Sequence, residues 1–144
     1  MSKNVTTCGP ADSIREVADK MDDEEVGSIP IVETGRLVGI ATDRDVVCRI
    51  AAGDVDTRSS VARDAMTTEV VTCTPDEPVI EAVHKMAEFL IRRIPVVDHG
   101  DRLRGMISIA DIALEAELDP DLAQTLKQIS RPTPYASRRY RRWM

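Results

Sequence analysis

The chain has 144 residues, of which 42% are hydrophobic and only 3% aromatic, and its formal net charge is −6. This length predicts one domain of ordinary size with an aliphatic core, and the acidic balance argues against nucleic acid as a partner of the main body. A polar start and the absence of an apolar run of ~18 residues exclude a signal peptide and a membrane span, so a cytoplasmic protein without membrane contact is expected.

An internal repeat organises the chain. Residues 7–32 align with residues 72–97 at a constant offset of 65, and residues 36–45 align with residues 102–111 after one extra residue near Asp101. Such repetition indicates the architecture before any local pattern is considered. Each copy, at about 60 residues, is marginal alone, so the two are expected to pack together and form paired clefts at their seam.

Each repeat is predicted to run strand, helix, strand, strand, helix. The first helices show apolar residues at i, i+3, i+4 and i+7, namely Ile14, Val17, Ala18 and Met21 in one copy and Val79, Ala82, Val83 and Met86 in the other. Two hairpins follow, built from Ile29–Val32 with Leu37–Ala41 and from Ile94–Val97 with Leu103–Ile107. The last helices begin near Thr42 and Ser108.

Four segments are predicted: residues 1–58 as repeat one, 59–117 as repeat two, 118–130 as a C-terminal helix, and 131–144 as a basic, mobile tail. Residues 61–67 lead into repeat two, and their counterpart before repeat one is missing because Met1 aligns with Met66. Either the start lies upstream of the given sequence, or the first copy lacks its lead-in segment. The tail holds five arginines and three of the four aromatic residues. This composition suits single-stranded nucleic acid or an anionic surface, and the alternative is a frayed tail that neutralises the acidic body.

The most informative local motif is Gly-x-x-[Thr/Ser]-x-x-Asp, which ends at Asp45 in one repeat and at Asp111 in the other. One interpretation is a helix N-cap with an acidic third residue. The functional interpretation uses the same geometry, because helix-start amides and the Thr42 or Ser108 hydroxyl suit phosphate and the carboxylate suits a ribose diol. Recurrence in both repeats favours the functional interpretation.

The two repeats differ just before their buried strands. Arg92 and Arg93 precede Ile94–Pro95, whereas Gly27 and Ser28 precede Ile29–Pro30. The arginines are either a solvated edge or anchors for ligand phosphates, because guanidinium groups match phosphate oxygens. We therefore expect two unequal clefts, of which one dominates.

Cysteines and histidines give no sign of catalysis. Cys8 and Cys73 hold the same repeat position, which suits small buried residues, with a disulfide or redox pair as the alternative. His84 and His99 have no partners at metal-site or triad spacing, so both are expected at the surface. No catalytic residue and no metal ligand is predicted, and the chain is not expected to be an enzyme.

Taken together, these motifs resemble a tandem pair of CBS (cystathionine β-synthase) domains, also called a Bateman module. The resemblance covers residues 1–117 and rests on both helix-start motifs, the paired Ile-Pro strands and the lead-in Ala65-Met66-Thr67. It implies an α+β fold of two β-α-β-β-α repeats related by pseudo-twofold symmetry, and homodimers shaped as a flat disk.

The resemblance also implies a function. A CBS pair is expected to be a regulatory sensor that binds AMP, ADP or ATP, sometimes NAD or S-adenosylmethionine, between its repeats and signals to an effector protein. No obligatory cofactor is implied. The alternatives are a ligand-free structural dimerisation module and a nucleic-acid-binding adaptor that acts through residues 131–144.

Site residues follow by position in the family motifs. The resemblance assigns the ribose hydroxyls to Asp45 and Asp111, and the phosphates to Thr42, Ser108, Arg92 and Arg93. The border of the adenine is assigned to Ile29, Pro30, Ile94 and Pro95. Asp43 and Arg44 face the ligand where repeat two has Ile109 and Ala110. A missing lead-in to repeat one implies that one cleft is incomplete.

Overall fold

A computed structural model describes residues 1–115 and 120–129. In the first repeat the elements are α1 (Ile14–Asp23), β1 (Ser28–Glu33), β2 (Arg36–Thr42) and α2 (Asp43–Asp45), which continues into a π-helix, Val46–Ala51. The second repeat contains α3 (Ala62–Ala65), α4 (Val79–Phe89), β3 (Arg93–Val97), β4 (Leu103–Ser108) and α5 (Ile109–Glu115), and α6 (Pro120–Ile129) follows. This mixture of helices and strands confirms the α+β class, and the basic tail lies outside the described residues.

Two compact units divide the described chain. Unit one comprises residues 1–76 with residues 95–106, and unit two comprises residues 77–94 with the described residues from 107 onward. The repeat boundaries that the sequence suggests stay predictions. No helix in the described part of the chain is long and apolar enough to cross a membrane.

The first helix of each repeat forms where its apolar spacing predicts, but Ala18 and Val79 of the two predicted core-facing stripes are exposed. Ser13 caps α1, since its hydroxyl oxygen accepts a hydrogen bond of 3.1 Å from the amide of Glu16. The buried face of α1 carries Ile14, Val17 and Met21, and that of α4 carries Ala82, Val83 and Met86. The helix α4 ends at Leu90, whose left-handed backbone stops further helical hydrogen bonding.

Each repeat contributes a two-stranded sheet, β1 with β2 and β3 with β4, and the strands β1 and β2 are antiparallel. In the first, Ile29 pairs with Ala41 and Ile31 with Gly39, and a bulge follows Ile31. The inward side chains join one apolar cluster with α1 and α3, made of Cys8, Val17, Met21, Ile29, Ile31, Ala41 and Ala62. Both predicted hairpins are therefore present, and the first lies at the core of unit one.

The predicted opening strand of each repeat is shorter than expected. Cys8 makes a single parallel bridge with β1, through its amide to the Pro30 carbonyl at 3.2 Å and its carbonyl to the Val32 amide at 2.8 Å. Cys73 makes the equivalent bridge to β3. The pairing ends after Cys8 because Gly9 donates to Asp12 Oδ2 instead and Pro10 has no amide hydrogen.

Burial confirms that Cys8 and Cys73 are small core residues, 2% and 3% exposed. Cys8 is a free thiol and so takes no part in a disulfide. Burial raises the pKa of the Cys8 thiol despite the opposing charge of Lys20, which keeps the reactive thiolate form scarce at neutral pH.

Met1 and Ser2 hold the repeat position of Met66 and Thr67, the end of the segment that leads into repeat two. Thr67 and Ile40 exchange two backbone hydrogen bonds of 2.8 and 3.0 Å. Ser2 and Met106 exchange the same two bonds, each 3.0 Å. Met1–Ser2 therefore takes at β4 the place that Met66–Thr67 takes at β2.

Both lead-ins require a glycine beneath them. A Cβ atom on Gly105 would lie 2.8 Å from the Ser2 carbonyl oxygen and 2.8 Å from the Met1 sulfur. On Gly39 it would lie 2.7 Å from the Met66 sulfur. The clash at Gly105 is the harder to relieve, because the backbone oxygen there is closer than at Gly39, where the Thr67 carbonyl oxygen would lie 3.1 Å from the new Cβ.

We expect Gly105→Ala to lower the free energy of unfolding by about 1–3 kcal/mol, the usual range for overpacking. Urea unfolding followed by circular dichroism measures this. The matched control is Gly100→Ala, where the nearest atom, Asp98 Oδ1, is 3.5 Å from the new Cβ and in ordinary contact. Equal stability of the two variants would show that the Ser2–Met106 pairing does not constrain Gly105.

Candidate functional site

The helix start at Thr42 is a closed hydrogen-bonded ring. Asp45 Oδ2 accepts from the Thr42 amide at 3.0 Å and from the Thr42 hydroxyl at 2.7 Å. The Thr42 hydroxyl oxygen in turn accepts from the Asp45 amide at 3.1 Å. This capping box shows that the capping interpretation holds in the free protein. The Thr42 hydroxyl donates its one proton to Asp45. It could donate to a ligand phosphate only after this hydroxyl group had rotated away from Asp45.

The second repeat builds the same ring. Asp111 Oδ2 accepts from the Ser108 amide at 2.8 Å and from the Ser108 hydroxyl at 2.9 Å, and the Asp111 amide donates back at 3.2 Å. Burial opposes ionisation of Asp111, but hydrogen bonds from Ser108 help to hold its pKa below the ordinary value. The carboxylate is therefore ionised at neutral pH and acts only as an acceptor, which suits sugar hydroxyls.

In each repeat, one backbone hydrogen bond joins the start of the last helix to the residue that precedes the first strand of the hairpin. The side chains beside this bond differ in charge between the repeats. The Asp43 amide donates to the Gly27 carbonyl at 3.1 Å, and the Ile109 amide donates to the Arg92 carbonyl at 2.9 Å. Asp43 Oδ2 lies 3.3 Å from the position that a Gly27 Cβ would take. Beside this hydrogen bond, repeat one carries the carboxylate of Asp43, whereas repeat two carries the exposed Arg92.

The predicted adenine-bordering residues are core residues in the free protein. Ile29 and Ile94 are 0% exposed, and Pro30 and Pro95 are also fully buried. A base could contact these side chains only if the residues packed over them moved. Their role in binding stays a prediction. Asp43 and Arg44, by contrast, are exposed, and Arg93 is half-buried.

Ser28 is a residue that sequence reasoning did not select. Its hydroxyl oxygen is the one buried side-chain nitrogen or oxygen atom without a hydrogen-bond partner among the described residues. It occupies the repeat position of Arg93, beside Gly27. A buried hydroxyl without a partner costs about 1–3 kcal/mol, so a ligand that paired with it would recover part of that energy.

Arg49 is the second residue that the sequence did not indicate. Its Nη1 donates to the Ala65 and Met66 carbonyls, both at 2.8 Å, and its Nη2 donates to Thr67 Oγ1 at 3.1 Å. Nη2 also lies 3.5 Å from Asp45 Oδ1. Its four-residue spacing from Asp45 was the one available signal.

The described residues hold no cluster of three or more metal-binding side chains. His84 is a surface residue, with a side chain 58% exposed and Nδ1 3.9 Å from Glu81 Oε1.

Comparison with known proteins defines the class. The family model described as CBS domain matches residues 1–52 and 61–117, and the chain therefore belongs to the CBS domain family as a tandem pair. It is similar to the CBS domain-containing protein YhcV of Bacillus subtilis, at 35% identity over 130 residues, 90% of this chain and 91% of that protein.

Two further similarities bear on function. The crystal structure of the CBS domain pair of protein MJ0100, in complex with 5′-methylthioadenosine and S-adenosyl-L-methionine, is 31% identical with a TM-score of 0.71, covering 81% of this chain and 91% of that one. Inosine-5′-monophosphate dehydrogenase of Methanocaldococcus jannaschii is 32% identical over 111 residues. That match covers 76% of this chain but only 21% of the enzyme.

Proposed function

We propose that this protein is a non-catalytic regulatory module that binds adenosine-containing ligands at its two helix starts and signals to a partner. The observation that carries the proposal is the duplicated carboxylate of Asp45 and Asp111. Each one caps its helix start by accepting from the backbone amide of the hydroxyl residue three positions earlier, Thr42 or Ser108. The adenosyl compounds bound by the MJ0100 CBS pair support this class of ligand.

The charge difference between the repeats supports unequal ligand preference. Arg92 and Arg93 give the Ser108–Asp111 site two cations for phosphate, which suits AMP, ADP, ATP or NAD. In repeat one, Asp43 sets a carboxylate beside Gly27 and Ser28. That site is better suited to adenosyl ligands without phosphate, such as S-adenosylmethionine.

Isothermal titration with AMP, ATP, NAD and S-adenosylmethionine tests the proposal. We expect at least one of them to bind, and Asp45→Asn or Asp111→Asn to weaken binding about ten- to a hundredfold by removing a charged acceptor. Asparagine keeps an oxygen for the cap, so the fold is retained.

The matched control is Asp12→Asn, which removes the charge from another carboxylate that accepts from a backbone amide, that of Gly9 at 2.8 Å. It is expected to bind as the natural protein does. Absence of binding by all four compounds, or equal affinity in all three variants, would refute the proposal.

A ligand-free dimerisation module is the second candidate. Val79, Phe89 and Leu90 of α4 and its end are 44%, 52% and 69% exposed, which leaves apolar surface for a second copy of the chain. A dimer that persists on dilution, together with a melting temperature that no nucleotide shifts, would favour this candidate over the sensor.

A further inference from the structure

Arg49 connects a candidate ligand residue to the segment that leads into repeat two. Its planar guanidinium bonds to two consecutive carbonyls, those of Ala65 and Met66, and to the Thr67 hydroxyl. The same group faces Asp45 Oδ1 at 3.5 Å. We call this set of four contacts the Arg49 clasp. A lysine could not reproduce it, because only a guanidinium directs several donors in fixed directions.

The helix that carries Arg49 has unusual geometry. Residues Val46–Ala51 form a π-helix, and the Ala52 amide donates to the Val47 carbonyl at 2.8 Å. Single π-turns within helices are frequent at functional sites. Arg49 therefore projects from an irregular turn directly after the helix start that the function requires.

Counting acceptors on Asp45 shows why the clasp matters. Oδ2 already accepts two hydrogen bonds from Thr42, so a ribose hydroxyl has to use Oδ1. The side chain of Asp45 is 18% exposed, and Oδ1 faces Arg49. Arg49 therefore lies within ion-pair distance of the oxygen that a ribose hydroxyl would use.

The clasp is specific to repeat one. At the repeat offset after the insertion, the position of Arg49 is taken by Glu115, so repeat two has no arginine there. The lead-in segment that Arg49 holds also packs on β2, through Thr67 with Ile40 and through the Met66 sulfur above Gly39. A disturbance at Asp45 can thus reach residues 65–67 directly.

We propose that Arg49 is a positioning residue, which orients Asp45 for the ribose diol and couples occupancy of the repeat-one site to the lead-in segment 65–67. This inference rests on the proposed function. Coupling is reciprocal, so a clasp that favours ligand binding is itself stabilised by the ligand.

The ligand-dependent test compares adenosine with 2′,3′-dideoxyadenosine in an Asp111→Asn background, which weakens the second site. Arg49→Met is expected to lower the affinity for adenosine about tenfold, the worth of one charge-assisted hydrogen bond, and to leave dideoxyadenosine unchanged. Arg49→Lys, which keeps the charge near Asp45, is expected to recover part of the loss. Equal losses for both nucleosides, or none for either, would overturn the positioning role.

Hydrogen exchange then tests the coupling. Adenosine is expected to slow amide exchange at Ile40 and Thr67 in the natural chain and to leave it unchanged in Arg49→Met. Equal protection in both proteins would overturn the coupling.

A ligand-free measurement separates this inference from the proposed function. Without ligand, Arg49→Met is expected to speed amide exchange at Thr67. Asp45→Asn is expected to change this exchange rate less in the Arg49→Met protein than in the natural protein. Such non-additivity supports the clasp even if no adenosine binds, in which case only the ligand proposal fails. Additive effects, or unchanged exchange in Arg49→Met, would refute the clasp.

Discussion

An Ile29→Ala variant is expected to lose about 2–5 kcal/mol of its free energy of unfolding, the range for large-to-small changes in a packed core. The Ile29 side chain is 0% exposed and belongs to the apolar cluster of unit one with Val17 and Ile31. Removing its terminal carbons leaves a cavity that the paired strand β1 cannot collapse to fill. Urea unfolding in the absence of nucleotides measures the loss.

Two controls give the expected loss a scale. Ile29→Val removes a single methylene group and is expected to cost about 0.5–1.5 kcal/mol. Val47→Ala shortens a side chain that is 59% exposed and is expected to stay within about 0.5 kcal/mol of the natural protein.

The result also distinguishes two roles for Ile29. If Ile29 is a core residue, as its burial shows, ligand affinity falls in the alanine variant only through loss of folded protein. If Ile29 mainly faced a base, truncation would lower ligand affinity while stability changed by less than about 1 kcal/mol. The second outcome would contradict the packing seen in unit one.

The local architecture was predictable because it depends on short-range patterns. Apolar spacing identified α1 and α4, and alternating apolar runs with turns identified both hairpins. The internal repeat then indicated a tandem pair of similar domains, and the two segments that match the CBS domain family model confirm this. The class of fold follows from these patterns together.

Long-range backbone pairing was not predictable in the same way. The bond pair between Ser2 and Met106 joins positions far apart in the chain, and backbone amides and carbonyls carry no residue-specific pattern. The opening strands failed as predictions for a local reason, since Pro10 and the Gly9–Asp12 bond end the pairing after Cys8.

The candidate site could be predicted only in part from the sequence. The motif at Thr42–Asp45 predicted a cap and a ligand acceptor, and these share the same atoms, so the observed cap leaves the ligand role as a proposal. Arg49 was missed because two of its acceptors are backbone carbonyls at the end of α3. Ser28 was missed because an unpaired hydroxyl becomes evident only from the packing around it.

The second large effect is expected from replacing Arg92 and Arg93 by the residues that repeat one carries there, Gly and Ser. This double variant is expected to weaken AMP binding about ten- to a hundredfold at low salt, because it removes charge-assisted bonds to phosphate. Adenosine, which has no phosphate, is expected to bind as before. In repeat one Gly27 precedes the equivalent strand β1 and Ser28 is its first residue, so the substituted sequence is compatible with this local fold.

The ratio of AMP affinity to adenosine affinity, measured by titration at low and high salt, isolates the phosphate contribution. In the natural protein this ratio is expected to fall with salt, because counter-ions screen partly exposed charges. In the Arg92→Gly/Arg93→Ser variant the ratio is expected to be smaller and less dependent on salt.

The control for net charge is Arg15→Ser with Arg58→Gly, two exposed arginines of unit one, of which Arg15 has a side chain 88% exposed. It removes the same total charge and is expected to leave the ratio unchanged. If both double variants lowered the ratio equally, the general field of the protein would explain phosphate preference. A loss confined to Arg92 and Arg93 would instead assign that preference to two side chains at the start of β3, where the two repeats differ in charge although their backbones make the same hydrogen bond.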